Sequence, residues 1–88
     1  MIHIELYGVP RLRAGMARLT VEGACVAEAL DALARACPAL ANHIIVPEGR
    51  GVHPAYRLSV NGDRFISDPA TPLADGDTLL LLAADVGG

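Results

Sequence analysis

Between Val26 and Cys37 the apolar residues step at helical intervals, while on both sides of that stretch they alternate in twos. That change of period constrains the chain more than any other feature. Val26, Leu30, Leu33 and Cys37 fall at i, i+4, i+7 and i+11, with Glu28, Asp31 and Arg35 on the opposite side, so an amphipathic helix begins near Val26 and stops at Pro38. Asp31 and Arg35 are spaced to pair along it. "CVAE" at its start has capping-box spacing, but Cys25 stands where Ser or Thr would accept an amide hydrogen bond, which predicts a weak cap.

Before the helix, "IHIELY" puts Ile2, Ile4 and Leu6 on one face and His3, Glu5 and Tyr7 on the other. "MARLTVEG" alternates through Ala17, Leu19 and Val21, and "GVPRLRAG" reads as the loop that makes the two strands a hairpin. After the helix, residues 41–55 are broken by Pro47, Gly49, Gly51 and Pro54 and read as an ordered loop with one extended piece at Ile44 to Val46. "YRLSVNGDRFI" then gives a strand, a two-residue Asn61-Gly62 turn and a short return strand from Arg64 to Ile66. "SDPATPLADGD" is turn chemistry, and "TLLLLAA" is a final strand.

Hairpin, helix, hairpin, strand makes an α+β domain, a sheet of about four to five strands with one crossover helix packed on one face. One helix covers one face, yet the last strand offers Leu79 and Leu81 to one side and Leu80 and Leu82 to the other. A solvated face should have been polar at the second pair. Either the 41–55 loop folds over that face or the face binds another protein.

Composition restricts the function. The 88 residues suffice for one domain, and at 52% hydrophobic but 3% aromatic the core must be aliphatic. A net charge of -3, basic residues that are all arginine, and only Tyr7, Tyr56 and Phe65 as aromatics leave no surface for nucleic acid. No secretory leader and no long apolar run are present, so a cytoplasmic protein without a membrane segment is expected. On one helix Cys25 and Cys37 would lie roughly 18 Å apart, too far to bridge.

Catalytic chemistry has no foothold. His3, His43 and His53 lack ligand spacing, so no metal site is expected. "DGD" at Asp75 to Asp77 lacks the later ligands of a calcium loop and reads as a turn. Cys25 at a helix start is either a reactive thiol or a small capping residue, and Cys37 lies on the core face. No nucleophile, base and orienting group come together, so the chain is not an enzyme by itself and no stably bound cofactor is expected.

The end of the chain is the other informative feature. "DVGG" follows a strand and lacks side-chain bulk at Gly87 and Gly88, so that backbone could thread a channel too narrow for any Cβ, with Val86 and Gly87 as the threading residues. From these residues alone it is either such a probe or a frayed tail.

"VNGD" after a hairpin strand, "PLADGDTLLLL", the "VAEALDALARACPAL" helix and the terminal Gly-Gly together resemble the ubiquitin-like β-grasp sulfur carriers of the MoaD/ThiS family, which includes the molybdopterin synthase small subunit and the thiamine-pathway carrier. The resemblance spans most of residues 1–88 and is weakest over 41–55. It implies a β-grasp sheet whose first and last strands lie parallel, with a free tail at 85–88. It implies that an E1-like adenylating enzyme, using ATP and Mg, activates the carboxylate of Gly88, which then carries sulfur as a thiocarboxylate. Delivery would be to a synthase such as the molybdopterin synthase large subunit. Leu80, Leu82 and Asp85 become the expected partner contacts. The sequence departs from the family's proline-rich approach to the diglycine, with Ala83, Ala84, Asp85 and Val86 there, and a buried Asp85 would need a basic or solvated neighbour.

Overall fold

In a computed structural model, which describes residues 1–47 and 51–84, the alternating segments form one five-stranded mixed sheet. The strands are β1 (Ile2–Leu6), β2 (Arg18–Val21), β3 (Tyr56–Val60), β4 (Arg64–Ile66) and β5 (Thr78–Ala83), in the spatial order β2-β1-β5-β3-β4. β5 is central, parallel to β1 and antiparallel to β3. Its register sets Ile4 beside Leu79 and Leu6 beside Leu81, while Leu58 and Val60 flank the same two leucines from β3. These residues share one face because side chains alternate along every strand.

The helix of residues Val26–Ala36, here α2, covers that face. Val26, Ala29, Leu30 and Leu33 are buried with Ile2, Ile4, Leu6, Leu79 and Leu81 in a single aliphatic core cluster. Asp31 and Arg35 pair on the outer side of the helix, as their spacing predicts. Cys25 makes no side-chain cap, also as expected. The first-turn amides are nevertheless satisfied: Val26 N donates to Thr71 O at 3.0 Å and Ala27 N to Pro69 O at 2.8 Å. Glu28 reaches back one residue beyond the cap position, accepting from Ala24 N rather than from Cys25 N, at 2.8 Å. The loop before β5 thus does the work of a capping side chain. Where the chain enters α2 the approach is close. A Cβ at Gly23 would stand 2.8 Å from Ala29 N, so only glycine fits without a shift.

Two readings of the loops are corrected. "GVPRLRAG" is not plain loop: residues Val9–Ala14 form a short helix, α1, inside the β1–β2 connection. Gly15 closes it in the left-handed region at φ 73°, its N–H donating to Arg11 O at 3.0 Å, and Pro10 sits in the first turn. That is the usual pattern of proline just inside a helix and glycine just past it, in a segment too short to show a period. The described residues of the 41–55 segment pack toward the α2 side rather than over the far side of the sheet. After a 3₁₀ turn at Pro38–Leu40, Leu40, Ile44 and Ile45 enter the α2-side core. Ile45 makes isolated bridges to Ala41 and Val52 rather than a strand.

The second hairpin differs by one residue. Asn61 and Gly62 take φ of 56° and 73°, and Asp63 N donates to Val60 O at 3.0 Å, as the Asn-Gly pair predicts. The ladder resumes only at Val60 opposite Arg64, so the connection holds three residues. Asn61 also serves β5, because its backbone N–H donates to Thr78 O at 2.8 Å and its side chain accepts from Thr78 N at 2.9 Å.

The "DGD" segment is a turn. Asp77 N donates to Ala74 O at 3.0 Å, and Ala74 N donates back to the Asp77 carboxylate at 2.8 Å. That backbone donor, with the Asn61 amide at 3.1 Å, holds the Asp77 carboxyl below its ordinary pKa. A depressed carboxylate contributes stability that is complete above the unfolded value of about 3.9 and is lost as pH falls through the folded value. Asp77→Ala should therefore lower the urea midpoint at pH 7 and fall closer to wild type in strong acid. A gap that is the same at both pH values would contradict the assignment.

Candidate functional site

The face of the sheet opposite α2 holds the second set of alternating side chains. Register places Arg18, Glu5, Leu80, Ser59 and Phe65 in one row from β2 to β4. Arg57 stands opposite Leu82 in the next row. Leu80 and Leu82 are half-buried and lie outside the core cluster. Phe65 is 60% exposed and Tyr7, just past β1, is 43% exposed. Single exposed apolar residues are ordinary; two half-buried leucines and two exposed aromatic rings on one sheet face are not.

Polar groups on this face are organised around the apolar ones. The Tyr7 hydroxyl donates to the Glu5 carboxylate, which keeps the phenol protonated and raises its pKa. The Arg57 guanidinium carbon lies 5.2 Å from the Phe65 ring centroid, a cation–π contact. Ser59, between Leu80 and Phe65, is buried. A depression of about 240 Å³ opens beside Leu80, lined also by Glu5, Asn61, Gly62 and Thr78.

β5 delivers the chain to the edge of this face, hydrogen-bonded on both sides. Tyr7 N donates to Leu81 O at 3.0 Å from the β1 side, and Ala84 N donates to Ala55 O at 2.8 Å from the β3 side. The ladder therefore holds the backbone as far as Ala84. The expected tail residues Asp85, Val86, Gly87 and Gly88 lie outside the described residues.

Of the expected contacts, Leu80 and Leu82 are brought together on the open face. Their neighbours Arg57, Phe65, Tyr7 and Glu5 were not singled out from the sequence. The alternation in "IHIELY" and "YRLSV" was a signal for which face they occupy, but not for which residue stands beside which. Among the described residues no cluster of three or more His, Cys, Asp or Glu could hold a metal ion. Burial pushes the Cys37 thiol pKa up, as suits a core residue, and Cys25 bridges Pro72 through the backbone. No helix among the described residues is long and apolar enough to cross a membrane.

The fold has solved counterparts. SAMP1 from Haloferax volcanii is 30% identical, with a TM-score of 0.77 over 99% of this chain and 98% of that one. The small archaeal modifier protein 1 from Methanosarcina acetivorans is 24% identical, with a TM-score of 0.80 over 99% and 95%. A chain of the Amycolatopsis orientalis BexX/CysO complex is 24% identical, with a TM-score of 0.76 over the whole of both chains. No family model and no curated protein sequence matches the chain.

Proposed function

The chain belongs to the MoaD/ThiS family of ubiquitin-like β-grasp sulfur carriers, and from that membership we propose that its C-terminal Gly88 is the group that is activated and loaded with sulfur. The observation that supports this most is the anchoring of β5 up to Ala84, with Gly-Gly ending four residues later. A rigid strand followed by a slender end suits delivery of a terminal carboxylate into another protein's active site.

The chemistry follows from the carboxylate. As a free anion it is a poor electrophile, so an E1-like enzyme using ATP and Mg must first activate it. A Gly88 oxygen attacks the α-phosphorus, pyrophosphate leaves, and a mixed anhydride with AMP forms. Hydrosulfide from a sulfur donor then attacks the Gly88 carbonyl and AMP leaves, giving a thiocarboxylate that stays ionised near neutral pH. Gly87 and Val86 are the threading residues, since a channel closed around the backbone excludes water and bulk alike. Leu80, Leu82 and Asp85 contact the partner. The proposed acceptor is the large subunit of a molybdopterin synthase, with thiamine or another thio-metabolite pathway as the alternative.

A second reading is supported by the name of the 30% identical neighbour, whose Haloferax volcanii protein is called a small archaeal modifier. In that reading the activated Gly88 is joined to a lysine of another protein. This chain has no lysine, so it would be attached singly and could not build lysine-linked chains on itself.

Intact mass of the protein taken from its own host without reducing or alkylating treatment separates the readings. A population heavier by one sulfur-for-oxygen exchange at Gly88 is expected. Only the carboxylate form, even with the host's adenylating enzyme, ATP and a sulfur donor added, would remove the carrier reading, and Gly88-dependent conjugates on other proteins would favour the modifier.

A further inference from the structure

Arg57 is set apart on the open face by its contact with Phe65. Like the other described arginines except Arg35, it has no carboxylate partner among the described residues. Stacking on Phe65 restrains the long side chain. A guanidinium held over a ring keeps its N–H donors in its own plane, a fork that matches a carboxylate in two-point contact. Arg18 lies on the same face, and its cross-strand neighbour Glu5 accepts from Tyr7. Arg18 and Arg57 are thus two cations set among the apolar side chains of this face.

Position says which partner meets it. Arg57 stands directly opposite Leu82, two residues before the last described residue, Ala84. The four residues from 85 to 88 reach at most about 14 Å when fully extended. An enzyme that encloses the Gly88 carboxylate must therefore approach the body of the carrier within that radius of Ala84. The cation nearest the strand end on this face is Arg57, opposite Leu82, with Phe65 one row back against it.

Resting on the sulfur-carrier reading above, we propose that Arg57, oriented by Phe65, is a specificity-determining contact for the adenylating enzyme, which presents a carboxylate to it at the rim of an apolar docking surface. The occupant is thus an acidic-rimmed protein, and Arg57 is a positioning residue rather than one that touches the reacting atoms.

The test measures binding of the purified host adenylating enzyme to full-length carrier, without nucleotide, at about 50 and 300 mM salt, and then ATP–pyrophosphate exchange with saturating carrier. Arg57→Ala should weaken binding about tenfold at the lower salt, Arg57→Glu should weaken it further, and Arg57→Lys should recover part of the loss. Salt should reduce the difference between wild type and Arg57→Ala. Phe65→Leu should weaken binding in wild type and add little in the Arg57→Ala background, the signature of two residues acting as one unit. Exchange at saturation should be unchanged, with melting temperatures within a few degrees of wild type as the folding control. Arg57→Glu binding as tightly as wild type would overturn the proposal, as would an Arg57 effect that appears only when ATP is present, because the contact would then be to phosphate. Failure of the wild-type chain to be adenylated at all would overturn the carrier reading and this proposal with it. Adenylation of wild type with indifference to Arg57 would overturn this proposal alone.

Discussion

Deleting Gly88, or replacing Gly87 with Phe, should abolish activation by the adenylating enzyme while leaving the fold intact. Deletion draws the terminal carboxylate back by about 3.5 Å. Misplacement of a reacting group by only 1 Å can cost about a hundredfold in rate, so exchange of pyrophosphate into ATP should fall by at least that much. Phe at 87 fails for a different reason, because its ring cannot pass where the backbone is enclosed. Neither change reaches the ladder, whose last described bond here is Ala84 N to Ala55 O, so melting temperature should not move. Variants that are still adenylated at the wild-type rate would refute the threading argument.

The second large effect separates neighbouring leucines of one strand. Leu79 and Leu81 are 1% exposed and pack in the α2-side core, while Leu80 and Leu82 are half-buried on the open face. Leu79→Ala or Leu81→Ala should cost about 2 to 5 kcal/mol, the range for emptying a filled core site. A chain of this length is expected to have about 4 to 13 kcal/mol in total, and each kcal/mol moves the melting temperature by about 4 to 8 °C. These variants should therefore melt at least about 8 °C lower. Leu80→Ala and Leu82→Ala remove only half-buried area and should cost about 1 kcal/mol or less; their loss should appear in binding to the adenylating enzyme. Equal destabilisation at Leu79 and Leu80 would mean that the open face is not open. Chemical denaturation of the four variants decides it.

Much of the fold was legible because each main element carries its own period. Ile2, Ile4 and Leu6 alternate in β1, and Val26, Leu30 and Leu33 step helically in α2; local sterics and burial then agree. The short helix α1 escaped because six residues show no period, although Pro10 and Gly15 marked its ends. The 41–55 segment escaped for a different reason. Ile44 and Ile45 are buried by long-range packing against α2 and the sheet, and the prolines and glycines around them erase any local pattern. The cap of α2 was legible only in its weakness. Cys25 could not supply the bond, but nothing local says that the carbonyls of Pro69 and Thr71, more than forty residues away, supply it instead.

The candidate site divides in the same way. A diglycine at positions 87 and 88, an aliphatic core and the absence of lysine are properties of composition and order, so the chain's sequence determined them by itself. "TLLLLAA" could not say which leucines go inward, because leucine at four successive positions suits either face equally. Pairing with β1 and β3 decided that, by aligning Leu79 and Leu81 with Ile4, Leu6, Leu58 and Val60. The same registers set Arg57 beside Leu82 and over Phe65, and so shaped the surface next to the tail. Only the tertiary structure decides such neighbours, because a shift of one residue along a strand exchanges its two faces while leaving the local pattern unchanged.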